Sequence, residues 1–376
     1  MRKHGVWYYR NLANQVVKKK KKMPPEFITI ARKIADNIAD GKYYDTLPSI
    51  NTLSAELNVC PATVKRVISQ LRDWNLVSGE KGRCVRVNWK AVKNPFFHKN
   101  VVVLTSISSI QNMFYTKVIE NINRKLNEHH ICFHMFVTEE QFKECGFIPD
   151  CVIVVSQMIG NKLDHVCPKS RIIKLNLPEE GYHSIATDNR LAGYEAVKCL
   201  AEEFGHKHIG IMTTQLKYDY GCFCQRYQGA MAYAKEHPEI KLTAFELAEN
   251  VHDTTLVIPA VEKLMKMDPE ISAVFSSLDL YALGVYSYAV QNNLQIPRDL
   301  SVIGFDDQNY AKLQTPELST FLENDENMTE CLYRLILDIL KSPESEIREI
   351  TTTAQIILRG SITHHKTPQT KRKGKK

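Results

Sequence analysis

"AVFSSLDLYALGVYSYAVQNNLQIPRDLSVIGFDD" (residues 273–307) opens and closes on short apolar runs, AVFSSL (273–278) and SVIGFD (301–306). Acidic residues mark the end of each: Asp279 follows the first, and Asp306-Asp307 closes the second. The same rhythm extends outward through VVVLTS (101–106), ICFHMF (131–136), CVIVVS (151–156), RIIKLN (171–176) and HIGIMTT (208–214). Helical stretches lie between most of these runs, such as FYTKVIENINRKLNEHH (114–130) and LAGYEAVKCLAEEF (191–204). Continuous apolar strands alternating with helices predict an α/β fold with parallel sheets covered on both faces. In such sheets ligands sit beyond the carboxyl ends of strands. Ser106, Ser156, Asn176, Asp279 and the Asp306-Asp307 pair occupy those ends, and Arg226 lies near a helix start in CQRYQGAMAYA (224–234). Asp, Asn and Arg make directed hydrogen bonds to hydroxyls, with aromatics such as Tyr115 or Phe114 to line a cleft. Singly, each also suits a helix cap or a loop. Their shared location is what raises them together.

The front of the chain follows a different pattern. PPEFITIARKIADNIADG (24–41) reads as a helix, with apolar residues at helical spacing and Gly41 after its end. Ser49 is the expected N-cap of a second short helix. Asn58 suits the left-handed turn that follows, and Pro61 the first turn of a third helix. On that helix Val64, Val67, Ile68, Leu71 and Asn75 share one face, with Ala62, Arg66 and Ser69 opposite and Thr63 and Lys65 on the flanks. A small, hydroxylic, basic face near an N-terminus fits a major groove, and it also fits a solvated surface. LVSGEKGRCVRVNW (76–89) then predicts two strands around a tip holding Lys81, Gly82 and Arg83. Helix, helix-turn-helix and hairpin is the order of a winged helix.

Charge separates these regions. Residues 1–22 carry eight basic and no acidic residues, and residues 363–376 six basic and none acidic, although the net charge is only +7. The middle of the chain is therefore acidic. This asymmetry favours a polyanion at the front and repels one from the body. Both basic segments are expected to be disordered. Apolar residues make up 44% of the chain and charged residues 24%, ordinary for a globular protein. No apolar run approaches the ~20 residues of a membrane span, and the N-terminus lacks the apolar core of a secretory signal. Ten scattered cysteines without a C-x-x-C pair read as reduced thiols in a cytoplasmic protein. The C-x-C at 222–224 lacks a second ligand pair, so no metal is expected.

Residues 24–88 resemble the winged-helix domain of the GntR family of bacterial transcription regulators. The stretch that carries the resemblance is LPSINTLSAELNVCPATVKRVISQL (47–71). The resemblance puts Thr63 and Lys65 on positions the family uses against DNA, and Gly82 and Arg83 on the wing motif. Asn51 and Cys60-Pro61 depart from the family pattern and remove two common arginines. Ser49, Thr63, Lys65, Arg66, Lys81, Gly82 and Arg83 form the candidate DNA-contacting set. Residues 100–362 resemble the effector domain of the LacI/GalR repressor family, whose fold is that of periplasmic sugar-binding proteins. The motifs are IATDNRLAGYEAVKCLAEEFGHKHIGIM (185–212), QRYQGAMAYA (225–234), residues 273–321 and the closing ILRGS (357–361). That resemblance places Arg226 and Asp306 on effector-contacting positions. It matches Asp279 to the second residue of an asparagine-aspartate pair whose first member is Leu278 here. Tyr115 and Asn176 complete the candidate ligand set. It also implies two lobes, with crossings near 184–188, 320–324 and 342–350, and a dimer surface near the helix 325–341.

The organisation expected is a basic arm (1–22), a winged helix-turn-helix (23–88), a semi-rigid linker (89–99), a two-lobed periplasmic-binding-protein-like domain (100–362) and a basic tail (363–376). The function expected is an effector-controlled, sequence-specific regulator, a homodimer that acts on double-stranded DNA as a repressor or an activator and answers to a carbohydrate. A non-regulatory sugar-binding protein is the alternative. An enzyme is not expected: no nucleophile elbow, Gly-rich loop or H-E-x-x-H is present, and no cofactor is implied. His206 and His208 in GHKHIG read as structural.

Overall fold

A computed structural model describes residues 26–79, 84–92, 96, 99–129, 131–143, 149–155, 163, 167–219, 221–247 and 254–365. The basic arm, most of the basic tail, Ser156 and the hairpin tip with Lys81, Gly82 and Arg83 lie outside these residues.

The front unit contains α1 (Glu26–Ala39), α2 (Ile50–Leu57), α3 (Pro61–Asp73), β1 (Val77–Ser78) and β2 (Arg86–Val87). Ser49 caps α2 by accepting the Thr52 N–H at 3.2 Å, and Asn58 closes it with φ +52°. Pro61 opens α3, where its missing N–H has no helical partner to lose. Ile34, Ile38, Leu53, Val64, Val67, Leu71 and Leu76 are fully buried and form one small core. Asn75 differs from its expected place on the apolar face. It stands exposed beyond the helix with φ +59°, so α3 ends earlier than the periodicity predicts. The left-handed residue turns the chain so that Leu76, not Asn75, enters the core. β1 and β2 pair antiparallel, Val77 opposite Val87.

The body begins with β3 (Asn100–Leu104), α4 (Met113–Glu128), β4 (Cys132–Phe136), β5 (Cys151–Val154), β6 (Ile172–Leu175) and β7 (His183–Thr187). The second lobe holds α5 (Asn189–Lys198), β8 (His208–Thr214), α6 (Cys222–Glu236), β9 (Lys241–Leu247), α7 (Thr254–Met267), β10 (Ala273–Ser276), α8 (Asp279–Gln291) and β11 (Ser301–Ile303). After β12 (Thr320–Glu323), the chain returns through α9 (Asp325–Lys341) and β13 (Glu349–Thr352), and β14 (Ala354–Ile357) follows. One parallel sheet runs β13-β7-β6-β5-β3-β4 and the other β11-β10-β8-β9. β12 and β14 pair antiparallel, and a bridge from Ile303 to Ser319 joins that pair to the second sheet.

The chain therefore passes between lobes at Thr187–Asn189, Glu323–Asp325 and Thr352–Ala354. The third passage lies later than the expected 342–350. Residues 349–352 pair with β7, Glu349 opposite Ser184, and complete the first sheet before the chain leaves it. α9 packs its Met328, Leu332, Leu335, Ile336 and Ile339 stripe into the first lobe's core, beside α4. Lys125 of α4 pairs with Glu330 at 3.0 Å. Among the described residues no helix is long and apolar enough to cross a membrane.

Candidate functional site

The ends of the strands bring one polar cluster together between the lobes. β6 stops at Leu175, and Asn176 follows with φ +54°, a conformation Asn tolerates better than most residues. Its side-chain amide donates to Tyr115 Oη and to Glu323 Oε1, each at 3.1 Å, while its Oδ1 accepts the Thr187 N–H at 2.8 Å. Arg226 rises from the first turns of α6 and is buried. Its Nε donates to Asn189 Oδ1 at 2.8 Å and its Nη1 to the Ser277 carbonyl at 2.7 Å. The guanidinium carbon lies 3.2 Å from the Phe305 ring centroid. Asp306, just beyond β11, has φ +109° and accepts the Asn112 amide at 3.1 Å.

Those contacts cross from lobe to lobe. Asn112 caps α4 in the first lobe, accepting the Phe114 N–H at 2.9 Å, and reaches Asp306 in the second. Gln308, also from the second lobe, accepts the Met113 N–H at 3.2 Å and donates to Asn112 Oδ1 at 3.3 Å. Tyr115, Asn176, Arg226 and Asp306 thus border one cluster. Asp279 lies beneath it, fully buried. Thr320 Oγ1 donates to its Oδ1 at 2.6 Å and the Gln308 N–H to its Oδ2 at 2.8 Å. Both of its carboxyl oxygens are thus engaged by protein donors. The Asp306-Asp307 pair is split as well, because Asp307 turns to Arg359, 2.5 Å away.

Burial dominates the electrostatics. It pushes Asp306 well above the usual carboxylate range, with Glu323 and Asp279 adding to the rise and Arg226 and Asn112 opposing it. Burial likewise raises Asp279 to about 7, against the Thr320 and Gln308 hydrogen bonds. The Cys222 thiol rises for the same reason, close enough to feel Arg226, Glu323 and Asp306. Asn112, Glu323, Asn189, Gln308 and Cys222 were not among the residues expected from the sequence. Glu323 sits inside the predicted second crossing, and that position was the available signal. Two cavities, about 460 and 300 Å³, flank the crossings and share Asp188 in their linings.

On the front unit Lys65 and Arg66 are exposed. Thr63 is half-buried, with its hydroxyl 3.3 Å from Cys60 Sγ. Ser49 is exposed, yet its hydroxyl serves the α2 cap. His206 is buried between Ser272 Oγ at 2.9 Å and the Thr363 carbonyl at 3.0 Å, and burial lowers it to about 4. His208, Asp268 and Glu270 lie together at the start of β8. There Nδ1 faces Asp268 at 2.9 Å and Nε2 faces Glu270 at 3.3 Å, so the ring lies between the carboxylates. Lys241 also pairs with Asp268, at 3.2 Å.

Residues 184–362 match the model of the periplasmic binding protein-like domain. The match spans just under half of the chain. Its sequence is 31% identical over 179 residues to the ribose operon repressor of Haemophilus influenzae, covering 47% of this chain and 52% of that protein. The chain thus spans about half the length of that relative. It is 22% identical over 328 residues to the HTH-type transcriptional regulator MalR of Clostridium butyricum, 83% of this chain and 95% of that protein. The periplasmic binding protein-like fold extends over both lobes. A solved LacI family transcriptional regulator from Enterococcus faecium, with bound ribose, superposes with a TM-score of 0.60 at 20% identity. It covers 71% of this chain and all of that one.

Proposed function

We propose that the protein is a transcription regulator whose affinity for operator DNA is set by a small effector, a sugar or sugar derivative, held between its lobes. The observation that carries this reading is the polar cluster at the lobe interface, where Asn112 of one lobe bonds Asp306 and Gln308 of the other. A ligand inserted there changes the spacing of the lobes, and differential affinity for two spacings is the origin of allosteric coupling. The front unit is the DNA-binding head, of GntR winged-helix type. Its support is the order of three helices and an antiparallel hairpin, with Lys65 and Arg66 exposed near the start of α3. Ser49, Thr63, Lys81, Gly82 and Arg83 belong to the same DNA-facing set. Arg32 of α1 donates to Asn100 Oδ1 at 3.3 Å, so the head touches the first lobe and can sense its position. The regulator acts as a homodimer, since two heads on a two-fold axis match two half-sites. Its place is the cytoplasm, where the operator is.

The test is selection of bound sequences from random duplex DNA, followed by titration on the selected site. Lys65→Ala and Arg66→Ala should each weaken binding about 10-fold. A residue on phosphate will also lower the slope of log affinity against log salt by about one, and a residue on a base will relax specificity at one position. Binding at full strength after removal of residues 1–93 would refute the assignment of the head.

A further inference from the structure

Two carboxyl groups in the interlobe cluster have no ionic partner among the described residues. Asp306 is 9% exposed and Glu323 only 3%. Among the described residues neither has a cation within salt-bridge distance. Asp306 Oδ2 accepts the Asn112 amide, and Oδ1 has no protein donor among those residues. Glu323 receives Asn176 and Thr187 on Oε1 alone, which leaves Oε2 without one. The nearby buried cation is committed elsewhere: Arg226 is fixed by Asn189, the Ser277 carbonyl and the Phe305 ring. It cannot swing to neutralise the carboxylates without abandoning those partners. Ser277 Oγ, one residue beyond β10, is also buried without a hydrogen-bond partner.

Burying an unpaired carboxylate costs several kcal/mol, and a second one beside it adds repulsion. The cluster therefore has a surplus of carboxyl oxygens without donors, with hydroxyl-binding groups around it. We propose that the effector carries an ammonium group, as an amino sugar does, seated between Asp306 and Glu323. Its hydroxyls take Tyr115, Asn112, Ser277 and the outer edge of Arg226. This assignment rests on the effector reading above and names its ligand class. A neutral sugar leaves both carboxyls unpaired. A phosphorylated or uronic sugar brings further acceptor oxygens and a negative charge against these two carboxyl groups, so the site disfavours it.

The experiment is thermal melting of the full-length protein with matched sets: glucose, glucosamine, N-acetylglucosamine and glucose 6-phosphate, with the corresponding galactose and mannose sets and calcium chloride alone. An amino sugar should raise the melting temperature most, and its N-acetylated form should lose the effect with the charge. Glu323→Gln should weaken the amino sugar at least about 10-fold and the neutral parent much less, since it removes one side of a buried charge pair. Asp306→Asn provides a second variant for the same comparison. The assignment is overturned if a neutral or phosphorylated member, or calcium, stabilises more than the amino sugars, or if no amino sugar shifts the melt. DNA retention measured alongside separates the two readings. A neutral sugar that binds and changes retention removes only the amine. An amino sugar that binds without changing retention removes the regulator reading and leaves the amine.

Discussion

Gly229→Ala will destabilise the protein by about 3 kcal/mol and impair effector binding with it. α5 and α6 cross where two glycines let their backbones touch. A Cβ on Gly229 would lie 1.9 Å from the Arg190 carbonyl oxygen, and one on Gly193 would lie 1.8 Å from that of Arg226. Both obstacles are backbone, so no side chain can rotate away and the helices must part. Parting them also disturbs the site. Arg226 is one turn from Gly229 on α6, and its partner Asn189 is on α5. Separation stretches the 2.8 Å bond between them and releases the guanidinium from its fixed position. Urea unfolding and ligand titration on the same sample check both parts. Gly205→Ala is the control: it has φ +75° but nothing within 4 Å of a Cβ, so only backbone strain of roughly 1–2 kcal/mol is expected. A Gly229 variant that unfolds with the wild type would show that the crossing is looser than its geometry.

The parallel sheets were legible because their strands are buried on both faces, and such strands read as unbroken apolar runs. β9 was not. As an edge strand in KLTAFEL it mixes exposed, half-buried and buried positions, and no run forms. β13 was missed for the same reason and shifted the expected third crossing, because EITT carries little apolar signal. In the site, strand-end logic reached Asn176 and Asp306, and a helix start reached Arg226, all at the ends of regular elements. Asn112 and Gln308 meet across the lobes, and the bonds that Asn112 makes to Asp306 and Gln308 span 194 and 196 residues of sequence. No local pattern encodes a contact of that separation. Asp279 shows the reverse case. Its position at a strand end was visible, but the donors that enclose it come from β12 and the loop after β11. A residue name at a strand end does not say whether it faces the cleft or the floor.

Asp279→Asn separates those two roles, and its effect should have a definite sign with pH. Burial raises the folded carboxyl to about 7 from an ordinary value of 3.8. The folded state thus holds a proton that the unfolded chain releases between about pH 4 and 7. The stability conferred by the protonated group is fully present below about pH 4 and is lost as pH rises through about 7. A tenfold change in proton affinity is worth about 1.4 kcal/mol, so the loss is on the order of a few kcal/mol. Asparagine keeps the same partners: its oxygen accepts the Gln308 N–H, and its amide donates to Thr320 Oγ1, whose hydroxyl turns from donor to acceptor. The surroundings otherwise stay paired, as Asp307 is held by Arg359. The variant should therefore match the wild type near pH 4 and exceed it near pH 8, with a flatter slope between. Some slope will remain, because Asp306 is raised in the same direction. Urea midpoints across that range decide the matter. If the two proteins keep the same slope, Asp279 is ionised in the folded state and its enclosure is wetter than the hydrogen bonds imply. A variant that gains stability and keeps its ligand affinity places Asp279 on the floor of the site, whereas one that gains stability and loses affinity returns it to the wall.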